Sequence, residues 1–353
     1  MEKVLKIAQI ITEFKPNGPG YVVKNIVDNL PPSMESTIFY LRGPSTLEAN
    51  CNIQPIGFRD ASVLKEFDIV HSHGIRPDVL SVYAGIFCKK SVHVSTLHNY
   101  AKDELLNIYG SKIAMLATPV WMATWRRMSS LAVLTQDAKK FYSGALPPEK
   151  LHVVHNGIGE LPHISALSDE DSVELERLAC QYHVLGTNAH LIKRKGIDQI
   201  IRALPNIPDC ALVVVGDGPY RQALMDLSKE LGVSERCWFT GYRNNIAAFL
   251  PHYDAYIMPS RSEGFGLALL EAMAAQLPCI CSDINVFREI MGTQAAFFTL
   301  EDSASLGNAV HFALNHREAL AEGGYQRYLQ KFTGEAMGNA YAEFYGNAIS
   351  RHR

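Results

Sequence analysis

Two carboxylates, Glu263 and Glu271, have seven residues between them in the stretch 258–273, which reads MPSRSEGFGLALLEAM. The apolar run 255–258 before them predicts a buried strand that ends at Pro259. A glycine turn then leads into a helix, so Glu263 falls at the turn and Glu271 about two helical turns further on. A turn of this kind holds an anion well, because free N–H groups and the positive helix end face the ligand.

The same spacing allows plainer interpretations. The glycines are also compatible with an ordinary tight turn, and the carboxylates with solvated charges on a helix. The helix itself is predicted from apolar Leu267, Leu270 and Met273 on one face. Within such a helix, Glu271 is placed to accept hydrogen bonds from ligand hydroxyls.

The complete pattern, Pro-Ser, then Glu-Gly-Phe-Gly, then Leu-Glu-Ala-Met, resembles the donor-sugar motif of the family 4 retaining glycosyltransferases. The resemblance implies the GT-B fold, in which two Rossmann-like α/β domains face each other across a cleft. It also implies a catalytic role for Glu263. The same motif implies donor-sugar contacts for Gly264, Phe265, Gly266, Leu267 and Glu271.

A basic segment, Lys193-Arg194-Lys195-Gly196, precedes a predicted helix. Cations beside a helix N-terminus favour a diphosphate through Coulomb attraction and amide hydrogen bonds, although a solvated basic face remains the alternative. In the resembled family an Arg stands five residues before this Lys, but this chain has His190 there. We therefore expect Lys195 to bind the donor diphosphate and Arg194 to supply the missing charge.

Two further segments support the resemblance in the second half of the chain. The turn 216–219, Gly-Asp-Gly-Pro, follows a Val-rich strand and supports the fold more than the mechanism. Tyr242, which follows another strand, matches the segment beside the nucleotide base in the family.

In the first half, the loop after the strand 4–11 contains Asn17-Gly18-Pro19-Gly20, followed by an amphipathic helix. A strand, a glycine loop and a helix suggest a ligand at the carboxyl end of a parallel sheet. A dinucleotide fingerprint is absent, and a plain turn is the alternative. The resemblance places Gly18 and Gly20 near the donor phosphates and the acceptor.

Histidines end two predicted strands. His71 and His73 alternate so that they point the same way, but without a nearby carboxylate or Cys they favour no metal site. His98 follows the next strand, where sites form in doubly wound sheets, and its ordinary pKa suits proton handling near pH 7. The matching family histidine reaches the donor sugar, which makes His98 a catalytic candidate; a structural loop histidine is the alternative.

The segment 113–127 is predicted to be helical, with a break or kink at Pro119. Trp121 and Trp125 stand directly before Arg126 and Arg127, which fits a helix lying on a membrane surface. The alternative is a buried crossover helix of the first domain.

Length and composition are compatible with a two-domain enzyme. The chain has 353 residues, 47% of them hydrophobic, and a net charge of −3 that gives no electrostatic case for nucleic acid binding. Seven cysteines without a C-x-x-C pair argue against a disulfide framework or zinc ribbon, and no run reaches the roughly 18 apolar residues of a membrane span. We predict a domain at 1–160, a second at 175–333, and a terminal helix at 334–353 that crosses back to the first.

These observations predict a retaining glycosyltransferase that moves a sugar from a nucleotide-diphosphate sugar, expected to be a UDP-sugar. The acceptor would be a saccharide or lipid-linked saccharide in O-antigen, capsule or exopolysaccharide synthesis. We expect no cofactor and no metal, because Asp169-Glu-Asp171 falls in a polar linker and is interpreted as solvated. The expected location is cytoplasmic, at the inner face of the membrane. A nucleotide-sugar 2-epimerase of the same fold and a non-catalytic nucleotide-sugar-binding protein are the alternatives.

Overall fold

The computed structural model describes residues 4–159, 161 and 166–352. The chain forms two compact units: Met1–Gly159 together with Lys331–Arg353, and Glu160–Gln330. Each unit is built around one parallel sheet with helices on its faces. Such sheets are buried on both faces, which explains why their strands read as nearly continuous apolar runs.

The first unit contains a seven-stranded sheet in the order β3-β2-β1-β4-β5-β6-β7. Its strands are β1 Leu5–Ile11, β2 Met34–Tyr40, β3 Asn52–Pro55, β4 Ile69–His73, β5 Val92–Leu97, β6 Ser130–Val133 and β7 Leu151–Val153. Its helices are α1 Gly18–Asn29, α2 Ile75–Ala84, α3 Ala101–Arg127, α4 Gln136–Ser143 and, from the chain's end, α12 Gly334–His352.

The second unit contains a six-stranded sheet in the order β10-β9-β8-β11-β12-β13. Its strands are β8 His183–Asn188, β9 Cys210–Val215, β10 Cys237–Gly241, β11 Ala255–Met258, β12 Cys279–Ser282 and β13 Ala296–Phe298. Its helices are α5 Asp169–Ala179, α6 Ile197–Ala203, α7 Arg221–Glu230, α8 Leu267–Ala274, α9 Asn285–Met291 and α10 Ser303–Asn315, and α11 Arg317–Lys331 follows them up to the boundary between the units.

Strand order reverses direction once in each sheet. In the first unit β1 lies between β2 and β4, and in the second β8 lies between β9 and β11. Loops leaving the carboxyl ends of these strands diverge to opposite faces and leave a crevice where ligands of doubly wound sheets bind. The loops after β8 and β11 carry Lys195 and Glu263, so the topology brings these two segments to one edge.

The helix α3 corrects the expectation for residues 113–127. Trp121 and Trp125 are buried, at 3% and 1% exposure, and both indole N–H groups donate to one carboxylate oxygen of Asp78, at 2.6 and 2.8 Å. A buried carboxylate needs such donors to offset its desolvation. The tryptophan rings therefore fill the core of the first unit, and the prediction that they lie at a membrane surface is wrong.

The break predicted at Pro119 also lies elsewhere. α3 continues through Pro119 and is interrupted instead at Gly110, whose φ is +79°. Two further glycines, Gly323 and Gly324, lie inside α11. A Cβ on Gly323 would come within 1.9 Å of Gln294 Oε1, so this glycine permits close packing.

The expected polar linker at 159–171 falls partly outside the described residues, as do residue 160 of the predicted domain boundary and residue 353. Asp171 corrects one half of the predicted solvated acidic pair, since Asp169 is exposed but Asp171 is not. It lies in the first turn of α5, 3% exposed, and receives two hydrogen bonds of 2.9 Å from Arg243. The Arg243 hydrogen bonds hold the pKa of Asp171 below its usual value.

Candidate functional site

The loop after β8 is held in place by the turn that follows β9. A Cβ on Gly216 would lie 1.9 Å from the carbonyl oxygen of Ala189, so only glycine allows this approach. The backbone N–H of Leu191 donates to the carbonyl of Asp217 at 2.9 Å, and His190 Nδ1 contacts the same oxygen at 2.8 Å. The Gly-Asp-Gly-Pro turn thus fixes the loop that leads to Lys195.

Gly196 joins this loop to the one after β11. Its φ is +70°, and a Cβ there would lie 2.0 Å from the carbonyl oxygen of Pro259. Gln199, one turn into α6, donates to the same oxygen at 2.8 Å. The two loops therefore meet backbone to backbone.

Arg194, Lys195 and Glu263 form one ionic cluster at this edge. Lys195 Nζ lies 3.0 Å from both carboxylate oxygens of Glu263, and Arg194 Nη1 lies 3.2 Å from Oε2. Burial alone would raise the pKa of Glu263, but the two cations outweigh it and hold the pKa below its usual value. Two cations against one carboxylate leave the cluster with one net positive charge, which suits an anionic ligand.

Arg261 is a positioning residue that the sequence patterns did not reveal. It forms a bidentate pair with buried Asp198 at 2.9 and 2.7 Å and also donates to the carbonyl of Lys193. Its backbone N–H donates to the carbonyl of Arg194 at 2.8 Å. The only available signal was its place in the Ser-Arg-Ser loop, which does not indicate a partner.

Glu271 differs from Glu263 in forming no ion pair with any described residue. Its side chain is partly buried in α8, and its carboxylate accepts no hydrogen bond within the described ranges. Burial raises its pKa to about 7. A desolvated carboxylate without a protein partner is ready to accept hydrogen bonds from ligand hydroxyls.

The remaining predicted donor residues of the second unit surround this helix start or follow β10. Gly266 caps α8 with φ +106°, Phe265 is buried, and Leu267 and Gly264 are partly exposed. Leu269, not Leu267, completes the buried face with Leu270 and Met273. Tyr242, beyond β10, is 61% exposed and so its ring is open to a ligand.

In the first unit, the sequence predicted that the loop after β1 extends through Gly20, but α1 already begins at Gly18, so both glycines lie in the first turn of the helix. Asn17 caps the helix by accepting from Gly20 N–H at 2.9 Å. A Cβ on Gly20 would lie 2.2 Å from the carbonyl oxygen of Lys15, whereas one on Gly18 would meet nothing within 4 Å. Gly20 is therefore required by packing and Gly18 is not.

His98 lies directly after β5 and contacts His73, the last residue of β4: His98 Nε2 is 3.0 Å from His73 Nδ1. His73 Nε2 is 2.9 Å from Gln9 Oε1 on β1. Desolvation lowers the pKa of His98 to about 4, so the ring is neutral at pH 7. The sequence identified His71 and His73 as a pair but not the contact of His73 with His98.

The described residues also form no group of side chains that could bind a metal. Across residues 4–159, 161 and 166–352, no cluster of three or more His, Cys, Asp or Glu side chains could hold a metal ion.

Two family models and several known proteins are similar to this chain over most of its length. Residues 16–159 match the family described as "Glycosyltransferase Family 4", and residues 177–328 match "Glycosyl transferases group 1". The O-antigen biosynthesis glycosyltransferase WclY of Escherichia coli is 30% identical, with 97% of this chain and 98% of that protein covered. The UDP-Gal:alpha-D-GlcNAc-diphosphoundecaprenol alpha-1,3-galactosyltransferase of Escherichia coli is 26% identical over 64% of this chain and 59% of that protein.

Among solved structures, HepE of Anabaena in complex with UDP-glucose superposes with a TM-score of 0.80 at 19% identity, covering 97% of this chain and 100% of that one. Two parallel-sheet α/β units define the GT-B class of protein, which confirms the predicted fold. The chain belongs to the family 4 and group 1 glycosyltransferases. The comparisons support the predicted glycosyltransferase over the epimerase alternative.

Proposed function

We propose that this glycosyltransferase takes its sugar from a UDP-sugar whose diphosphate binds Lys195 and Arg194. The observation that carries the proposal is the cluster of these two cations with Glu263, and this cluster has one net positive charge. The side chains of Lys195, Arg194 and Glu263 are only 16%, 25% and 11% exposed. Charges so shielded from water interact with a diphosphate more strongly than surface lysines do. The UDP and UDP-glucose complexes of HepE support uracil as the base.

Glu271 is the proposed ribose ligand and Tyr242 the proposed neighbour of the base. Gly264, Phe265, Gly266 and Leu267 would border the donor, with Gly18 and Gly20 facing phosphates and acceptor. His98 and Glu263 are the proposed catalytic residues. Because Glu263 is ion-paired with Arg194 and Lys195, its carboxylate can also orient these two cations.

The proposed reaction retains the anomeric configuration and needs neither cofactor nor divalent metal. The family resemblance supports retention, and the cationic cluster supports metal independence because it can stabilise the leaving diphosphate directly. Activity is expected to survive excess EDTA. Loss on chelation with rescue by Mn²⁺ or Mg²⁺ would contradict metal independence, and a product of inverted configuration by NMR would contradict retention.

The proposed acceptor is a saccharide or lipid-linked saccharide in O-antigen or lipopolysaccharide synthesis, as the names of WclY and the diphosphoundecaprenol galactosyltransferase suggest. No helix among the described residues is long and apolar enough to cross a membrane. Peripheral contact at the cytoplasmic face is proposed through the outward side of α3. There Met115, Leu116 and Val120 are 70%, 71% and 57% exposed, and exposed Arg126 and Arg127 end the helix.

The test is a calorimetric titration with UDP, UDP-glucose, UDP-galactose and UDP-N-acetylglucosamine, paired with a turnover assay on saccharide acceptors. We expect binding of UDP and at least one UDP-sugar, lost in Lys195→Ala. Binding of nucleotide sugar without any turnover would instead support the non-catalytic alternative.

A further inference from the structure

A buried line of polar side chains runs through the first unit from helix α12 to His98. Its members are Tyr341, Thr96, His71, Tyr345, Gln9, His73 and His98. Every link is 2.8 to 3.0 Å long, and the members other than His98 are at most 2% exposed. Polar groups this deeply buried must satisfy one another, so the line is a single network.

The network has one direction of donation. Gln9 donates its amide to Tyr345 Oη and accepts at Oε1 from His73 Nε2. Desolvation lowers the pKa of His73 and of His71 well below the usual value, so each ring is neutral and has one donor and one acceptor nitrogen. His73 Nδ1 must then accept, and the hydrogen between His73 and His98 belongs to His98 Nε2.

The same alternation of donor and acceptor atoms continues from Tyr345 to Tyr341. Tyr345 accepts from Gln9 and so donates to His71 Nδ1 at 2.8 Å, which leaves His71 Nε2 to donate to Thr96 Oγ1. Thr96 then donates to Tyr341 Oη at 3.0 Å. All hydrogens along the line point from His98 toward α12.

We propose that Tyr345 is a positioning residue, which acts through Gln9 and His73 to hold His98 in the tautomer with hydrogen on Nε2. His98 Nδ1 makes no hydrogen bond within the described part of the chain, so it is left as an acceptor for a ligand hydroxyl. This inference rests on the proposed catalytic role of His98. It assigns the last helix a part in preparing the site in addition to packing.

The proposal predicts a contrast between two buried tyrosines on the same helix, four residues apart. In Tyr345→Phe, Gln9 loses its acceptor and is free to rotate its amide, which presents N–H to His73 and reverses the hydrogen between His73 and His98. In Tyr341→Phe only the final bond to Thr96 is lost, and every link from Tyr345 to His98 remains. Tyr341→Phe is therefore the matched control.

The experiment measures the ¹⁵N shifts of the His98 ring in full-length protein labelled at histidine, with His98→Gln used for assignment. We expect Nε2–H in the wild type and in Tyr341→Phe, and Nδ1–H or a mixture in Tyr345→Phe. The kcat of Tyr345→Phe should fall about tenfold with little change in KM for the donor, and that of Tyr341→Phe should stay within about twofold.

Nδ1–H in the wild type, or an unchanged His98 tautomer in folded Tyr345→Phe, would overturn the proposal. Circular dichroism establishes that both variants are folded; if Tyr345→Phe does not fold, Gln9→Leu, which cannot accept from His73 Nε2 and so leaves the His73 tautomer unfixed, replaces it with the same expectations. The tautomer is read without turnover, so failure of the glycosyl-transfer proposal would show as an inactive wild type with the tautomer contrast intact.

Discussion

The two glutamates of the glycine turn have opposite environments although they belong to one motif. Glu263 is neutralised by Arg194 and Lys195, whereas Glu271 has only burial acting on its pKa, which rises to about 7. Glu263 is thus held by two protein cations, whereas Glu271 forms no ion pair with the described residues and is left for a ligand. This difference makes their substitutions separable.

Glu271→Gln should weaken binding of a nucleotide sugar at least about tenfold at pH 8, because charge-assisted hydrogen bonds worth about 1.5–3 kcal/mol are lost. Only the ionised carboxylate accepts from both ribose hydroxyls. Affinity of the wild type should therefore rise between pH 6 and 8, and that of the variant should stay flat. Calorimetry at several pH values checks this, and identical pH profiles would contradict the assignment.

Glu271→Gln should weaken ligand binding but raise the free energy of unfolding at pH 8. The folded pKa of Glu271, about 7, lies above the ordinary 4.5, so the folded state binds more protons than the unfolded chain between these values. The loss of unfolding free energy caused by ionising Glu271 is absent below pH 4.5 and grows as pH rises. It reaches a few kcal/mol above pH 7, at roughly 1.4 kcal/mol per pKa unit. Urea unfolding should find Glu271→Gln more stable than the wild type at pH 8 and equal to it at pH 4.5. Equal stabilities at pH 8 would argue that water reaches the carboxylate.

Lys195→Ala should reduce kcat/KM more than Arg194→Ala, because Lys195 contacts both oxygens of Glu263 and matches the family pattern. Glu263 keeps Arg194 as partner in the first variant, so the fold should be preserved. Lys193→Ala, in the same turn but exposed, is the matched control and should remain within about twofold of the wild type. Normal turnover by Lys195→Ala would place the diphosphate elsewhere.

At the scale of elements, Gly196 fixes how the two site loops meet. In Gly196→Ala a methyl group would collide with the carbonyl of Pro259 at 2.0 Å, and φ +70° would be strained as well. Gly232→Ala is the control, since its φ is +67° but nothing lies within 4 Å. We expect Gly232→Ala to cost roughly 1–2 kcal/mol in unfolding free energy and to keep nucleotide binding.

Gly196→Ala should cost more than the control and lose binding, because the loops must separate. Chemical denaturation and calorimetry on both variants check the contrast. Equal effects of the two substitutions would mean that backbone strain alone matters at Gly196.

The elements near the site were largely predictable from sequence, since Ala255–Met258 and the helix from Leu267 follow from apolar periodicity and glycine placement. The missed strands, Asn52–Pro55, Leu151–Val153 and Ala296–Phe298, are short and lie at sheet edges, where pairing on one side leaves little apolar pattern. The tryptophans of α3 were misplaced because their partner, Asp78, is more than forty residues away in sequence. Ion pairs such as Arg261 with Asp198 are likewise set by three-dimensional contact and leave no local signal.

At the scale of the whole molecule, the exposed side of α3 predicts membrane contact without the tryptophans. From residue 111 to 127 the chain has no acidic residue, and its three cations, Lys112, Arg126 and Arg127, are all exposed. Apolar side chains flanked by cations favour shallow attachment to anionic lipid that salt weakens. The protein should sediment with anionic liposomes at low salt.

Sedimentation should be lost in Met115→Ser/Leu116→Ser/Val120→Ser and retained in Val173→Ser, an equally exposed apolar side chain of the second unit. The substituted side chains are 57–71% exposed, so the melting temperature should change little. Wild-type protein that stays in the supernatant at low salt would contradict the membrane proposal and leave glycosyl transfer unaffected.

The return of the chain to the first unit has a consequence for synthesis. Helix α12 packs on α1 so closely that a Cβ on Gly338 would lie 1.9 Å from the carbonyl of Asn29, and it supplies Tyr341 and Tyr345 to the histidine network. During translation the first unit therefore lacks α12 until the second unit has been synthesised. Until then His71 and Gln9 have no tyrosine partner. In a chain still being translated, the sheet of the second unit would be complete before Tyr345 can hydrogen-bond to Gln9 and His71, so we expect the His98 tautomer to be fixed only after α12 has docked.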